Sequence, residues 1–270
     1  MNRYKASATH LGISAVILGI FFSIVFFIWY PVPYFTIEGT FDVIVVLIGV
    51  DLILGPLLTL IVFKSGKPSL KFDLSVIALI QISALIYGAN TIYTERPYFI
   101  AFAIDRFTVI QANKTKEMDL SLIDSTIDYQ HLGPSYVYAA RATDPEENLK
   151  ILKEAAAGGA DIDRHPELYR DFKKSMPQSL DRSLDLNTLS NQFPSSKAII
   201  DSFRSRYPDT IGLAFYPLLG KNRDVVLVLN KKNLEIVDYI DVDPWQKIKK
   251  QESPSTPILG LPGAPLEQTK

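Results

Sequence analysis

Hydrophobic and polar positions divide this chain into two unlike parts. Three long apolar runs, at residues 11–30, 41–63 and 72–93, fill the first third. The first is uncharged for about 20 residues, enough to cross roughly 30 Å of hydrocarbon at about 1.5 Å per residue. Trp29 and Tyr30 close it, where interfacial aromatics belong. A cleaved signal peptide is the competing reading, since Arg3 and Lys5 stand just ahead. The run is longer than a signal core, however, and PVPYF follows where small residues would be needed for cleavage. An α-helical membrane domain of three transmembrane helices is therefore expected over residues 1–94.

From Pro97 the pattern turns to alternation rich in β-branched and aromatic residues. YFIAFAIDRFTVIQA reads as two strands, or one broken near Asp105-Arg106, and residues 136–142 as another. Asp144 as cap, Pro145 at the first position and acids in the first turn start a helix. Leu149, Leu152 and Ala156 share a face of it, and Gly158-Gly159 stops it. A short helix is expected in DIDRHPELYRDF, then irregular chain to about residue 193, then a helix at 195–207 presenting Ile199, Ile200 and Phe203. Strands at 211–214, 225–230 and 234–240 are separated by KNRD and NKKN, which favours antiparallel hairpins. The expectation is an α+β domain with a mainly antiparallel sheet over 95–250, followed by a Pro-rich flexible tail at 251–270.

Charge sharpens the division. Residues 1–93 carry five Lys or Arg and four Asp or Glu, and the rest carries 23 and 25. Arg3 and Lys5 precede the first run, while Lys64, Lys67 and Lys71 surround the turn after the second. The segment between runs one and two has Glu38 and Asp42 but no base. The positive-inside rule then puts the N-terminus and the 64–71 turn in the cytoplasm and the α+β domain outside, in the periplasm of a bacterial inner membrane. Nothing is basic enough for nucleic acid as a partner. Cysteine is absent, which removes disulfides, thiolate nucleophiles and Cys-based zinc sites.

Helices in lipid associate through small residues and hydrogen bonds, because apolar burial supplies no drive there. Small or polar residues recur at four-residue spacing: Ala15, Gly19 and Ser23 in the first run, and Asp51, Gly55 and Thr59 in the second, where Pro56 should kink the helix. Gln81, Ala84 and Gly88 share a face of the third. Asp51 stands out, since a mid-span Asp costs about 2.5–3.5 kcal/mol on insertion scales and no base lies in any run to pair with it. It is expected to be protonated or hydrogen-bonded, to Gln81 or Thr59. These residues either pack the helices together or form a functional face.

Active-site patterns are missing: there is no G-x-S-x-G, Walker A loop, H-E-x-x-H, S-x-x-K or G-x-G-x-x-G. His131 and His165 match no metal spacing, and Asp161/Asp163 and Asp241/Asp243 read as turn and cap residues. The expectation is a non-enzyme with no catalytic residues, no metal and no cofactor.

Several stretches together resemble a known family. RYKASATHLGIS, WYPVPYF, GVDLILGPLLTLIVFKSGK, LKFDLSVIALIQ, ERPYFIAFAIDRF, GGADIDRHPELY, FYPLLGKNRDVVLVLN and IDVDPW are similar to the type IV pilin accessory proteins, the TfpX/TfpZ group of Gram-negative bacteria. The resemblance covers nearly all the chain except its tail. It implies an inner-membrane accessory protein or chaperone for the major pilin, acting on pilin stability or assembly into pili, and supplies no catalytic residues. Candidate contacts to the pilin helix are Asp51, Gly55, Thr59, Gln81, Gly88 and Gly19, with membrane lipid around them. Asp51 would face the carboxylate that type IV pilins carry early in their apolar helix. The outer domain would meet the pilin head through a strand edge within 211–240. Two rivals remain: a membrane-anchored sensor whose outer domain binds a small molecule, and a pilin-modifying enzyme. The first lacks a cytoplasmic output module, and the second lacks paired acids or a His in the first external loop.

Overall fold

The computed structural model of the chain describes residues 2–129 and 132–245. His131 and the Pro-rich segment 251–270 lie outside the described residues.

Asn2 opens the first helix by accepting a hydrogen bond from the Lys5 amide at 2.9 Å. Helix α1 (Arg3–Ile24) continues through a π-helical turn, Val25–Trp29. A short helix α2 (Tyr34–Glu38) ends on Gly39, whose φ of +77° suits only a residue without a Cβ at low cost. Helix α3 (Phe41–Ile48) passes through a second π-helical turn, Gly49–Leu54, into α4 (Gly55–Val62), and α5 (Leu70–Glu95) follows. Arg3–Trp29, Phe41–Val62 and Leu70–Glu95 are long and apolar enough to cross a membrane. Their outward surfaces are apolar as well, with Val16, Ile20, Ile61, Leu79 and Ile86 exposed.

The Ala15–Gly19–Ser23 stripe does not pack the helices. It faces outward, and α1 turns Ala6, Ser14, Leu18 and Val25 inward instead. Close approach is supplied from the other helices, where Gly88 lies against Leu47 and Gly55 against Gln81. With those two gaps provided, α1 has no need to present its own glycine.

The rest of the chain builds one seven-stranded sheet in the order β4-β3-β1-β2-β5-β6-β7. Its strands are β1 (Pro97–Ala103), β2 (Arg106–Gln111), β3 (Ser135–Ala139), β4 (Tyr169–Asp171), β5 (Leu213–Leu219), β6 (Val225–Asn230) and β7 (Ile236–Ile240). The break at Asp105-Arg106 is the turn of the β1–β2 hairpin, and β5–β6 and β6–β7 are antiparallel as expected. The sheet is nevertheless mixed, not mainly antiparallel: β1 pairs β3 and β2 pairs β5 in parallel. Parallel neighbours need long crossovers, so their pairing leaves no short turn signal in the sequence.

The long connections carry helices. Asp144 caps α6 (Pro145–Ala156), its side chain accepting from the Glu146 amide. The apolar face that Leu149, Leu152 and Ala156 share is not the one that packs. Leu149 and Leu152 are exposed, whereas Ile151 is buried against the β1–β3 half of the sheet. The segment before residue 193 is also more regular than expected. DIDRHPELYRDF makes two 3-10 turns and β4, and α7 (Phe172–Ser175) and α8 (Leu186–Gln192) follow. In α9 (Lys197–Arg206), Ile200 and Phe203 are buried while Ile199 is exposed.

Successive strand residues feed opposite cores. On β1, Phe99 and Ala101 join the core under α6, while Ile100 and Phe102 join a core on the other face. That second core does not belong to the sheet alone. It includes Tyr216, Leu218 and Leu227 from strands together with Val25, Tyr30, Tyr34, Ile37, Leu47 and Ile92 from the helical part.

The 31–40 loop therefore plugs into the sheet. The Ile37 carbonyl accepts from the Asn222 amide at 2.9 Å, and the Tyr34 hydroxyl meets that of Tyr136. Glu38 is 4% exposed; its two oxygens accept from Gln111 Nε2 at 2.7 Å and the Lys221 amide at 3.1 Å. Burial raises the Glu38 pKa above its ordinary 4.5, and the bonds from Gln111 and Lys221 oppose the shift. A raised carboxyl pKa means that the folded state holds the proton more tightly than the unfolded one. Its contribution is full below pH 4.5 and is lost as pH rises through the folded value. Glu38→Gln should therefore flatten the decline in thermal midpoint between pH 4.5 and neutrality, followed by tryptophan fluorescence of the detergent-solubilised chain. An unchanged pH slope would refute the assignment.

Candidate functional site

The site follows from one missing donor. In the π-helical turn the Gly55 amide reaches back five residues to the Val50 carbonyl. The next amide in that register would serve the Asp51 carbonyl, but residue 56 is proline and has none. Gln81 of α5 takes over: its Nε2 donates to the Asp51 carbonyl at 3.4 Å and to Asp51 Oδ1 at 3.3 Å. Both contacts are long, and both lie inside the bundle. Gly55 makes them possible, because a Cβ there would fall 2.0 Å from Gln81 Nε2.

Helices α1 and α5 pack on either side of the segment 49–62. They meet where the Trp29 and Tyr93 rings touch at 5.1 Å. Away from that contact they leave a groove of about 390 Å³, walled mainly by apolar side chains of α1 and α5. Its polar floor is Asp51, Gln81, Thr59 and His10. Thr59 does not bond Asp51; it is hydrogen-bonded to His10 Nδ1 at 2.6 Å. Ser7 Oγ donates to the Pro56 carbonyl at 2.8 Å beside it. Asp51 is 5% exposed, and its Oδ2 has no hydrogen-bond partner among the described residues.

Of the candidate residues, the structure brings Asp51, Gly55, Thr59 and Gln81 together at this groove. Gly88 lies farther along α5 against Leu47. Gly19 is on the outward face of α1, where a Cβ would meet nothing within 4 Å. Ala6, His10 and Ser14, which complete the groove on the α1 side, are absent from the sequence-derived set. Their signal is legible in retrospect: small or polar residues recur there every four positions, one frame away from Ala15, Gly19 and Ser23.

The acids of the sheet part have local roles. Asp161 accepts from the Ile162 amide, Asp243 from the Trp245 amide, and Asp241 pairs with Arg223 at 3.0 Å. Asp163 is buried, which raises its pKa against the bond it makes to Thr108. His165 pairs with Glu167 at 3.0 Å. Among the described residues no three His, Asp or Glu side chains are grouped so as to hold a metal ion.

Three apolar helices carrying a mixed sheet, with a polar-floored groove between two of them, define a helix-anchored sheet protein. Comparison with known proteins gives its kinship. The family model described as fimbrial assembly protein FimB matches residues 1–39. A "fimbrial assembly protein, serogroups C1 and C2" of Dichelobacter nodosus is 36% identical over 108 residues, which span 39% of this chain and 82% of that protein. The serogroup I and serogroup E1 proteins of the same organism are 26% and 28% identical, each over 90% of this chain and 96% of its own length. The chain belongs to the fimbrial assembly protein family, as its resemblance to pilin accessory proteins led us to expect. No solved structure matches it.

Two glycines test the geometry of the groove. Gly55→Val forces Gln81 away and should cost about 1–3 kcal/mol, as overpacking does. Gly19→Val meets open space and should leave the thermal midpoint of the solubilised protein essentially unchanged. Equal effects from both would contradict the packing described.

Proposed function

We propose that this chain is an inner-membrane accessory protein of type IV pilus assembly that holds the apolar helix of a pilin subunit in the groove between α1 and α5. The observation that carries the reading is the groove itself: an apolar channel floored by Asp51, Gln81, Thr59 and His10 within helices otherwise suited to lipid. An acid at such a position is retained at a cost and is by default a functional candidate. The names of the relatives in Dichelobacter nodosus support the pilus context.

In lipid a guest helix gains little from apolar burial, so packing and hydrogen bonds decide whether it stays. The walls of α1 and α5 supply the packing. Protonated Asp51 donates a hydrogen bond from Oδ2–H to the carboxylate that pilins carry early in the apolar helix. Gln81 fixes the Asp51 carboxyl by engaging Oδ1 and the backbone carbonyl together. The sheet stands beside the pilin head in the periplasm. Arg3, Lys5, Lys64, Lys67 and Lys71 support that orientation by the positive-inside rule.

Intramembrane side-chain bonds are worth about 0.6–1.7 kcal/mol. Asp51→Leu should therefore reduce site-specific crosslinking to pilin about three- to eighteen-fold while the protein accumulates normally. Unchanged crosslinking would remove Asp51 from the mechanism, and lost accumulation would assign it to packing. For the orientation, alkaline phosphatase fused after residue 245 should be active in cells. An inactive phosphatase, with a fluorescent cytosolic reporter lit at the same junction, would reverse the topology.

A further inference from the structure

The two edges of the sheet, β4 and β7, border the same cleft. Each pairs on one side only among the described strands, β4 with β3 and β7 with β6. They stand at opposite ends of the strand order, yet residues beside both line one cavity. The cavity, of about 800 Å³, is bounded by Tyr136 of β3, Asp171 at the end of β4, Phe172 at the start of α7, Glu235 just before β7 and Ile236 at its start.

Three properties of the cleft point to its occupant. Its floor is aromatic, with the Tyr136 and Phe172 rings 5.6 Å apart, and continues the core on that face of the sheet. Its rim is acidic: Asp128, Asp171 and Glu235 stand against the single base Lys173. Its Pro134 side lies next in sequence to Gly133, which approaches the π-helical turn so closely that a Cβ would sit 2.8 Å from the Ile28 carbonyl.

The longer edge, β7, carries no blunting residue of its own, and α9 packs beside it. Natural edge strands are commonly blunted by Lys, Pro or a covering element. The β7 sequence IVDYI has neither Lys nor Pro, and its one charge, Asp238, is tied to Arg206 at 2.7 Å. The other edge, β4, is only three residues long.

We infer that this cleft receives an extended, basic segment of the partner, which adds as a strand to β7. The inference rests on the reading above that a partner subunit is held by this protein. Main-chain hydrogen bonds to β7 give the attachment, alternate side chains enter over Tyr136 and Phe172, and bases meet Asp128 and Glu235.

The probe is a fluorescein-labelled decapeptide of alternating Lys and Val, added to the full chain in an uncharged detergent and followed by anisotropy. Saturable binding is expected. The same peptide with alternate amides methylated cannot extend a sheet and should bind at least tenfold more weakly, and an alternating Glu and Val peptide should not bind. Asp128 and Glu235 are both exposed, so the double substitution Asp128→Lys and Glu235→Lys should leave the fold intact and weaken the Lys-Val peptide at least tenfold. Equal binding of the methylated peptide, or no response to the charge reversal, would overturn the inference. Asp51→Leu acts on the groove alone and should leave peptide affinity unchanged, so failure here and failure of the groove reading are separately visible.

Discussion

A single proline governs the helical part of this protein. Pro56 withholds the amide that the π-helical turn would offer to the Asp51 carbonyl, and in an apolar bundle an unsatisfied carbonyl is expensive. Breaks of this kind persist where a neighbouring helix makes good the loss. Here Gln81 does so, and in doing so it also clamps the Asp51 carboxyl. The clamp requires α5 to approach α4 at a position without a side chain, which is Gly55. Break, donor and gap are thus one device distributed over two helices.

The groove is a by-product of the same arrangement. With α5 drawn onto the break and α1 seated against the other side of α4, the space between α1 and α5 stays open except where Trp29 meets Tyr93. His10 and Thr59 bond to each other rather than to Asp51, so the floor is divided into two polar pairs. One carboxyl oxygen, Asp51 Oδ2, is left without a hydrogen-bond partner among the described residues. The proposal of a helix-holding function is a reading of that remainder.

Much of this is legible in the residues. The three apolar runs, the Asp144-Pro145 helix start and the hairpins of β1–β2, β5–β6 and β6–β7 are written in local spacing and turn chemistry. The Asp51–Gln81 contact can be expected because an acid in an apolar run with no base nearby has few partners. What is not legible depends on contacts distant in sequence. The parallel ladders have no turn of their own. Leu149 and Ile151 are equally apolar, and only the position of the sheet decides which one is buried. In α1, two stripes of four-residue spacing lie side by side, and spacing alone favours the one with glycine. The inward stripe carries His10 and Ser14, whose value appears only once Thr59 and the groove are in place. Glu38 reads as a loop charge, and the groups that bind it come from a strand and a hairpin turn more than 70 positions away.

The plug formed by residues 31–40 bears on how the molecule can be divided. Tyr34 and Ile37 belong to the same apolar core as Tyr216 and Leu227, so the sheet has no finished surface on that side. Cutting the chain ahead of β1 would expose a hollow lined with aromatic rings rather than yield a clean soluble fragment. The sheet and its anchor are one cooperative unit, and a force or ligand that tilts the helices is transmitted to the strands without passing through a hinge.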